Sequence, residues 1–310
     1  MPLRITWPDG KRFAFTVLDD TDSATLRNVG EVYALLDDCG FRTTKTCWMI
    51  NADPSRPKNP GQTCEDPDYA AWLVGLQSRG FEIAWHNATW YGVPREQIIL
   101  ALERFARIFG HYPATGANHS DDEAIYWGRY RLTGLHVPLY DLLTRFRNHR
   151  KYRGHIEGDP YFWGDLCRQH IKFYRNFVFQ DVNTLKSCPL MPYHDRLRPY
   201  VNYWFASSNG CEVGAYNRCL AEGHQDRLEE EGDACIMYTH FASGFQQQGR
   251  LEPRFRQLME RLAKKNGWFV PVETLLEHLL KTRGHHDITG AQRRRLERKW
   301  LWEKVLVGTV

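Results

Sequence analysis

The chain has 310 residues, 42% of them hydrophobic, enough for one large domain with a substantial core. With 41 Lys and Arg against 37 Asp and Glu, its formal net charge of +4 is too small to argue for a nucleic-acid partner. No segment approaches the roughly 18 consecutive apolar residues that a membrane span needs.

The first residues, Met1 to Gly10, hold no apolar run, so no secretory signal is expected and a cytoplasmic protein is. Eight Cys stand at 39, 47, 64, 167, 188, 211, 219 and 235, with no C-x-x-C pair. They read as reduced thiols used mostly for packing. The 11 Trp within 14% aromatic residues suit either a core or a cleft that binds rings and sugars.

Arg12 to Asp19 reads as a strand, rich in β-formers, and it runs into three acids within four residues, Asp19, Asp20 and Asp22. Ser23 or Asp22 is placed to cap a helix over Ala24–Cys39, which Gly40 ends. Phe41–Ile50 is the second strand. A Pro-rich loop over 51–65 follows it, then a helix over Pro67–Ser78 stopped by Gly80. Phe81–His86 is a short strand ending in His. Pro94–Phe109 is a helix with Pro at its start and Gly110 after it. Tyr112–Ala117 is a strand leading to Asn118 and His119. Ser120 and Asp121 are placed to cap a helix over Glu123–Arg131, and Leu135 to Val137 reads as a weak strand.

Residues 141–176 break the rhythm and read as an insertion that could cover the mouth of the fold. Its basic run, Arg145, Arg147, Arg150, Lys151 and Arg153, reads as solvated surface in preference to an anion site. Phe177 to Phe179 and Tyr200–Ala206 are further strands, and Gln225–Glu231 is a short acidic helix. Ala234–Phe241 is a strongly apolar strand, again with a His, His240. A helix over Glu252–Asn266, a strand over Trp268–Val270 and a helix over Val272–Lys281 complete a unit of residues 1–282. Residues 283–310 form a basic amphipathic tail helix that packs on the barrel, or meets a partner or a membrane surface.

Alternating strands and helices argue for a parallel sheet or barrel. Asp19, Asp20, His86, Asn118 and His119 all fall just after strands, and barrel strand ends converge on one face. Adjacent carboxylates such as Asp19 and Asp20 repel, so they call for water or a cation.

The constellation resembles the polysaccharide deacetylases of the carbohydrate esterase type. The stretch Thr16-Val17-Leu18-Asp19-Asp20 is similar to the family's first motif, with Thr21 where Gly is usual. Gly80-Phe81-Glu82-Ile83-Ala84-Trp85-His86 is similar to the second, and Ile236-Met237-Tyr238-Thr239-His240 to the last. The resemblance implies an α/β fold, a distorted seven-stranded (β/α) TIM-like barrel. It implies Asp19 as general base, Asp20 and His86 as ligands of a divalent metal, and His240 as general acid. The family's second metal His is Trp90 here, and His119 is the expected replacement, with Asp22 a second candidate. Zinc is the expected ion.

The implied reaction is metal-assisted removal of an acetyl group from an N-acetylated or O-acetylated sugar or glycan, within surface-polysaccharide or lipopolysaccharide synthesis. Asn118 and Trp90 are expected at the substrate, where Asn118 orients His119 or binds acetyl. Trp85, Trp90 and Trp127 serve either sugar stacking or the core. Two alternatives stand beside this reading: hydrolysis of a non-sugar cyclic amide, and a catalytically silent sugar-binding barrel.

Overall fold

Seven parallel strands close on themselves into a barrel, because β1 (Phe13–Asp19) pairs with both the second strand and the last. This computed structural model describes residues 5–55, 61–147 and 151–307. Every residue of β1 is buried, as expected of a strand covered on both faces. After β1, α1 (Leu26–Asp38) leads to β2 (Thr44–Cys47), α2 (Pro67–Ser78), β3 (Glu82–Trp85), α3 (Arg95–Phe109) and the two-residue β4 (Thr115–Gly116). Next come α4 (His136–Leu143), α5 (Gly164–His170), β5 (Phe173–Phe179), α6 (Thr184–Ser187), β6 (Tyr203–Asn209), α7 (Val213–Cys219), α8 (Glu222–Glu231) and β7 (Ala234–Thr239). A small hairpin of β8 (Gln246–Gln247) and β9 (Arg250–Leu251) precedes α9 (Pro253–Ala263), β10 (Gly267–Phe269), α10 (Val272–Arg283) and α11 (Gly290–Val307).

One edge of β1 is shared. Phe13 to Phe15 pair with β10, and Leu18 and Asp19 pair with β2, so β10 fills the space between β1 and β2 at the amino-terminal end. The distorted (β/α) barrel expected from the sequence is present. All eight Cys are free thiols. Among the described residues, no helix is long and apolar enough to cross a membrane.

Several expectations are corrected. The cap of α1 is Thr25, whose hydroxyl accepts from Asn28 N at 3.2 Å, so Asp22 and Ser23 are not spent on capping. Residues 123–131 form no α-helix; a single 3-10 turn spans Gly128–Arg131. The expected strand at 135–137 is the start of α4. The fifth strand begins at Phe173, inside the span read as an insertion. Residues 56–60 of the Pro-rich loop and Arg150 of the basic run lie outside the described residues.

β5 carries a bulge. Arg175 pairs with Phe205 and Val178 with Ser207, so β5 spends three steps where β6 spends two. The extra residue shifts the in-out alternation beyond it, a device common beside active sites. The tail helix α11 packs against the barrel. Leu296, Trp300 and Leu301 are buried. The fully buried Glu297 accepts from Thr133 Oγ1 at 2.9 Å and from His136 Nδ1 at 2.6 Å.

Candidate active site

The carboxyl ends of the strands surround a cleft of about 540 Å³, lined by Asp20, Asp22, His86, His119, Arg175 and His240 among others. Asp22 is its hub. Its Oδ2 lies 3.0 Å from His86 Nε2 and 3.4 Å from His240 Nε2, and its Oδ1 lies 3.0 Å from His119 Nε2. The three rings follow β3, β4 and β7, so barrel closure alone assembles them. The residues just after Asp22 and His86, Ser23 (φ 57°) and Asn87 (φ 60°), are held in the left-handed region. For residues other than glycine this costs about 1–3 kcal/mol and recurs at functional sites.

Burial alone would raise the Asp22 carboxyl, but hydrogen bonds from the three imidazoles hold it well below the usual carboxylate range. Burial would lower both His119 and His240. Instead, bonds to Asp121 and Asp22 push His119 up to about 10, and Asp22 pushes His240 up to about 9.

A second layer aims these rings. His119 Nδ1 lies 3.3 Å from Asp121 Oδ2, while Asp121 Oδ1 accepts from Asn87 Nδ2 at 2.9 Å and Glu123 N at 3.0 Å. Asp121 is therefore a partner of His119, not a helix cap. His240 Nδ1 donates to the Cys211 carbonyl at 2.9 Å, which fixes that proton and turns Nε2 to the cleft. His86 Nδ1 is buried without a hydrogen-bond partner among the described residues, 3.9 Å from Asp20 Oδ1.

Asp20 lines the cleft and is clamped by Arg175, with Nη1–Oδ1 at 2.9 Å and Nη2–Oδ2 at 2.6 Å. The Arg175 guanidinium sits 4.2 Å from the Tyr238 ring centroid. Asp19 is elsewhere. It is fully buried and does not line the cleft, and it is paired with Lys45 Nζ at 3.1 Å. It also accepts from Tyr33 Oη at 3.0 Å and Phe241 N at 2.8 Å. Burial raises its carboxyl, and Lys45 offsets part of that rise. Successive residues at a strand end project to opposite faces, which separates these two neighbours.

The expected substrate residues are placed otherwise. Asn118 lines the cleft, but its amide is engaged with the loop that follows. Its Nδ2 donates to Ile125 O at 2.9 Å, and its Oδ1 accepts from Ile125 N at 2.7 Å and Tyr174 Oη at 3.2 Å. Trp90 is not among the cleft-lining residues. Its ring centroid is 5.4 Å from that of Trp48, which in turn lies 5.6 Å from His119. Residues 86–94 form no helix, so positions 86 and 90 do not share a helical face. Trp85 is a core residue against Trp163. Arg175 and Trp48 were not singled out in the sequence, and no local motif marks them, while Tyr238 stands within the last motif but was given no role of its own.

The donor set fits a divalent cation. One carboxylate and two imidazole Nε2 atoms converge on an open cleft, and a carboxylate backs one of the rings, as ligand histidines require. At the cleft, the group whose ligand atoms all lie within 4.8 Å of one another is Asp20, Asp22 and His86, and His119 adjoins it through the other oxygen of Asp22.

A scan of family models finds no match, and a search of curated proteins finds none either. Solved structures do match in fold. A protein described as a polysaccharide deacetylase from Mycobacterium smegmatis is 12% identical, with 92% of this chain and 96% of that one covered and a TM-score of 0.50. PuuE allantoinase is 12% identical, with 89% and 93% covered and a TM-score of 0.51. At this identity the likeness defines the class of fold, the deacetylase-type barrel, and the chemistry must be argued from the site.

Proposed function

We propose that this protein is a hydrolase that removes an acetyl group from an acetylated sugar, with a divalent cation at the barrel mouth. The observation that carries the reading is the convergence of His86, His119 and His240 on Asp22 in an open cleft. Asp22, His86 and His119 would hold the cation, and zinc suits one carboxylate with two imidazoles. When bound, such a cation polarises the acetyl carbonyl and acidifies a water molecule.

The chain supplies the proton transfers. Asp20 lines the cleft where Asp19 does not, so Asp20 takes the general-base role and Arg175 fixes its orientation. His240, whose Nδ1 proton is held on the Cys211 carbonyl so that Nε2 faces the cleft, donates from Nε2 to the leaving amine. The products are acetate and a free amino sugar. The eight free thiols suit a reducing compartment, and a cytoplasmic intermediate of surface-polysaccharide or lipopolysaccharide synthesis is the substrate we favour.

Acetate release from N-acetylated and O-acetylated sugars tests the reading. We expect wild type to release acetate, and His240→Ala to lose far more activity on an amide than on an activated ester, whose leaving group needs little proton donation. No acetate from any acetylated sugar overturns it, and ring opening of a cyclic amide in its place would redirect it.

A further inference from the structure

Besides Arg175, the cleft is lined by Arg131, Arg145, Arg147 and Lys304. Arg175 is neutralised by Asp20, but among the described residues Arg131 has no such counter-charge. It is 3% exposed, its Nε lacks a hydrogen-bond acceptor among the described residues, and the leading charged influence on it besides tyrosines is Arg175, a like charge. Its guanidinium carbon lies 3.3 Å from the Trp127 ring centroid and 5.1 Å from that of Trp300. The rings hold the planar cation in place without satisfying its charge. A buried cation without a partner is expensive to maintain, and folding alone gives no return for it.

A second cation stands on the same wall. Lys304, on α11, lies 4.6 Å from the Trp300 ring centroid. Burial lowers it to about 7, and the nearby Arg131 charge adds to that effect. Arg131 is thus a cleft-wall cation with no ion pair to a carboxylate among the described residues, and Lys304 lines the same cleft beside it. Arg is the side chain best shaped for a planar or tetrahedral oxyanion, because it offers two parallel N–H donors.

We propose that Arg131 and Lys304 form an oxyanion subsite of this cleft, so that its substrate is an acetylated sugar bearing a carboxylate or a phosphate. The proposal rests on the hydrolase reading for the acetyl group and on the cleft itself for the anion. The tail helix then has a role in recognition, since Trp300 and Lys304 both belong to it.

Calorimetric titration of the full chain with three sugars tests it: N-acetylglucosamine, N-acetylglucosamine 1-phosphate and N-acetylglucosaminuronic acid. At least one anionic sugar should bind about ten- to a hundredfold tighter than the neutral one, the gain of a charged hydrogen-bonded pair. The phosphate and carboxylate arms identify which oxyanion fits. Arg131→Gln should abolish most of the preference, and Lys304→Gln should reduce it. If Arg131→Gln unfolds, Lys304→Gln together with the loss of preference at high salt carries the test.

Equal affinity for the three sugars, no binding of either anionic sugar, or a preference that survives both substitutions overturns the subsite. The readout is binding, so it separates the two readings. Full acetate release without charge preference would remove the subsite and leave the hydrolase. Tight anion binding without acetate release would do the reverse.

Discussion

Arg175, on β5, grips both carboxylate oxygens of Asp20, 155 residues earlier in the chain, at 2.9 and 2.6 Å. Both side chains are almost wholly buried. The pair ties β5 to the exit of β1 across the barrel mouth and sets the direction in which Asp20 presents its lone pairs.

Removing one member should therefore be worse than removing both. Arg175→Met leaves a buried carboxylate unpaired and should cost about 3–5 kcal/mol of stability. The double variant Asp20→Asn with Arg175→Met should recover part of that loss. Urea unfolding of the single and double variants measures the coupling. Additive losses would mean that the two groups do not depend on one another.

Neutralising either adjacent aspartate should lower stability, since each is paired with a buried cation, so the two should separate by acetate release per folded chain. Asp20→Asn should lower acetate release by about 10²–10⁴-fold, as loss of a general base does. Asp19→Asn should chiefly lower stability, because Lys45 then keeps a buried charge without its partner. Acetate release and urea midpoints of both variants decide the point. A catalytic loss confined to Asp19→Asn would return the base to that residue.

Much of the barrel was legible in the sequence because β1, β3 and β7 are apolar runs that end in polar residues, and α2 and α3 begin at or beside Pro and end before Gly. The cluster of strand-end groups was legible for the same reason, since alternation fixes where those ends gather. Which face Asp19 or Asp20 takes was not, because a one-residue difference in register exchanges them. Nor was the hub role of Asp22, which depends on where His86, His119 and His240 gather after three separate strands. Arg175 escaped notice because β5 begins with Phe173, Tyr174, Arg175 and Asn176, a polar interruption that reads as loop until the bulge is seen.

Trp90→His would restore the spacing of the second family motif, but the position faces Trp48, not the cleft. Metal affinity should therefore stay within about twofold of wild type, well under the tenfold that 1.4 kcal/mol gives. Competitive chelator titration measures this. A tenfold or larger gain in affinity would place residue 90 at the metal.

Glu82 gives a pH-dependent prediction at the opposite end of β3. Its Oε2 accepts from Thr44 Oγ1 at 2.6 Å and from Glu273 N at 3.0 Å. Burial, reinforced by the Glu273 charge, pushes its carboxyl from 4.5 up to about 7. The folded chain thus holds a proton that the unfolded chain gives up above its ordinary value. The stabilisation is complete below that value and is lost as pH rises through about 7. Over this window Glu82→Gln should gain on wild type by up to about 1.4 kcal/mol per pH unit. Urea midpoints at about pH 5 and pH 8 test the sign. A gap that does not change between them would show that Glu82 ionises normally in the fold.

In the reaction proposed above, Asp22, with His86 and His119, holds a divalent cation while Asp20 serves as the base. Elemental analysis of wild type, Asp20→Asn and Asp22→Asn, each purified without chelator, tests it most directly. About one divalent ion per chain should accompany wild type and Asp20→Asn, and most of it should be missing from Asp22→Asn. Metal-free wild type with full acetate release, or Asp22→Asn that keeps its ion while Asp20→Asn loses it, would rule out Asp22 as the ligand carboxylate and Asp20 as the base.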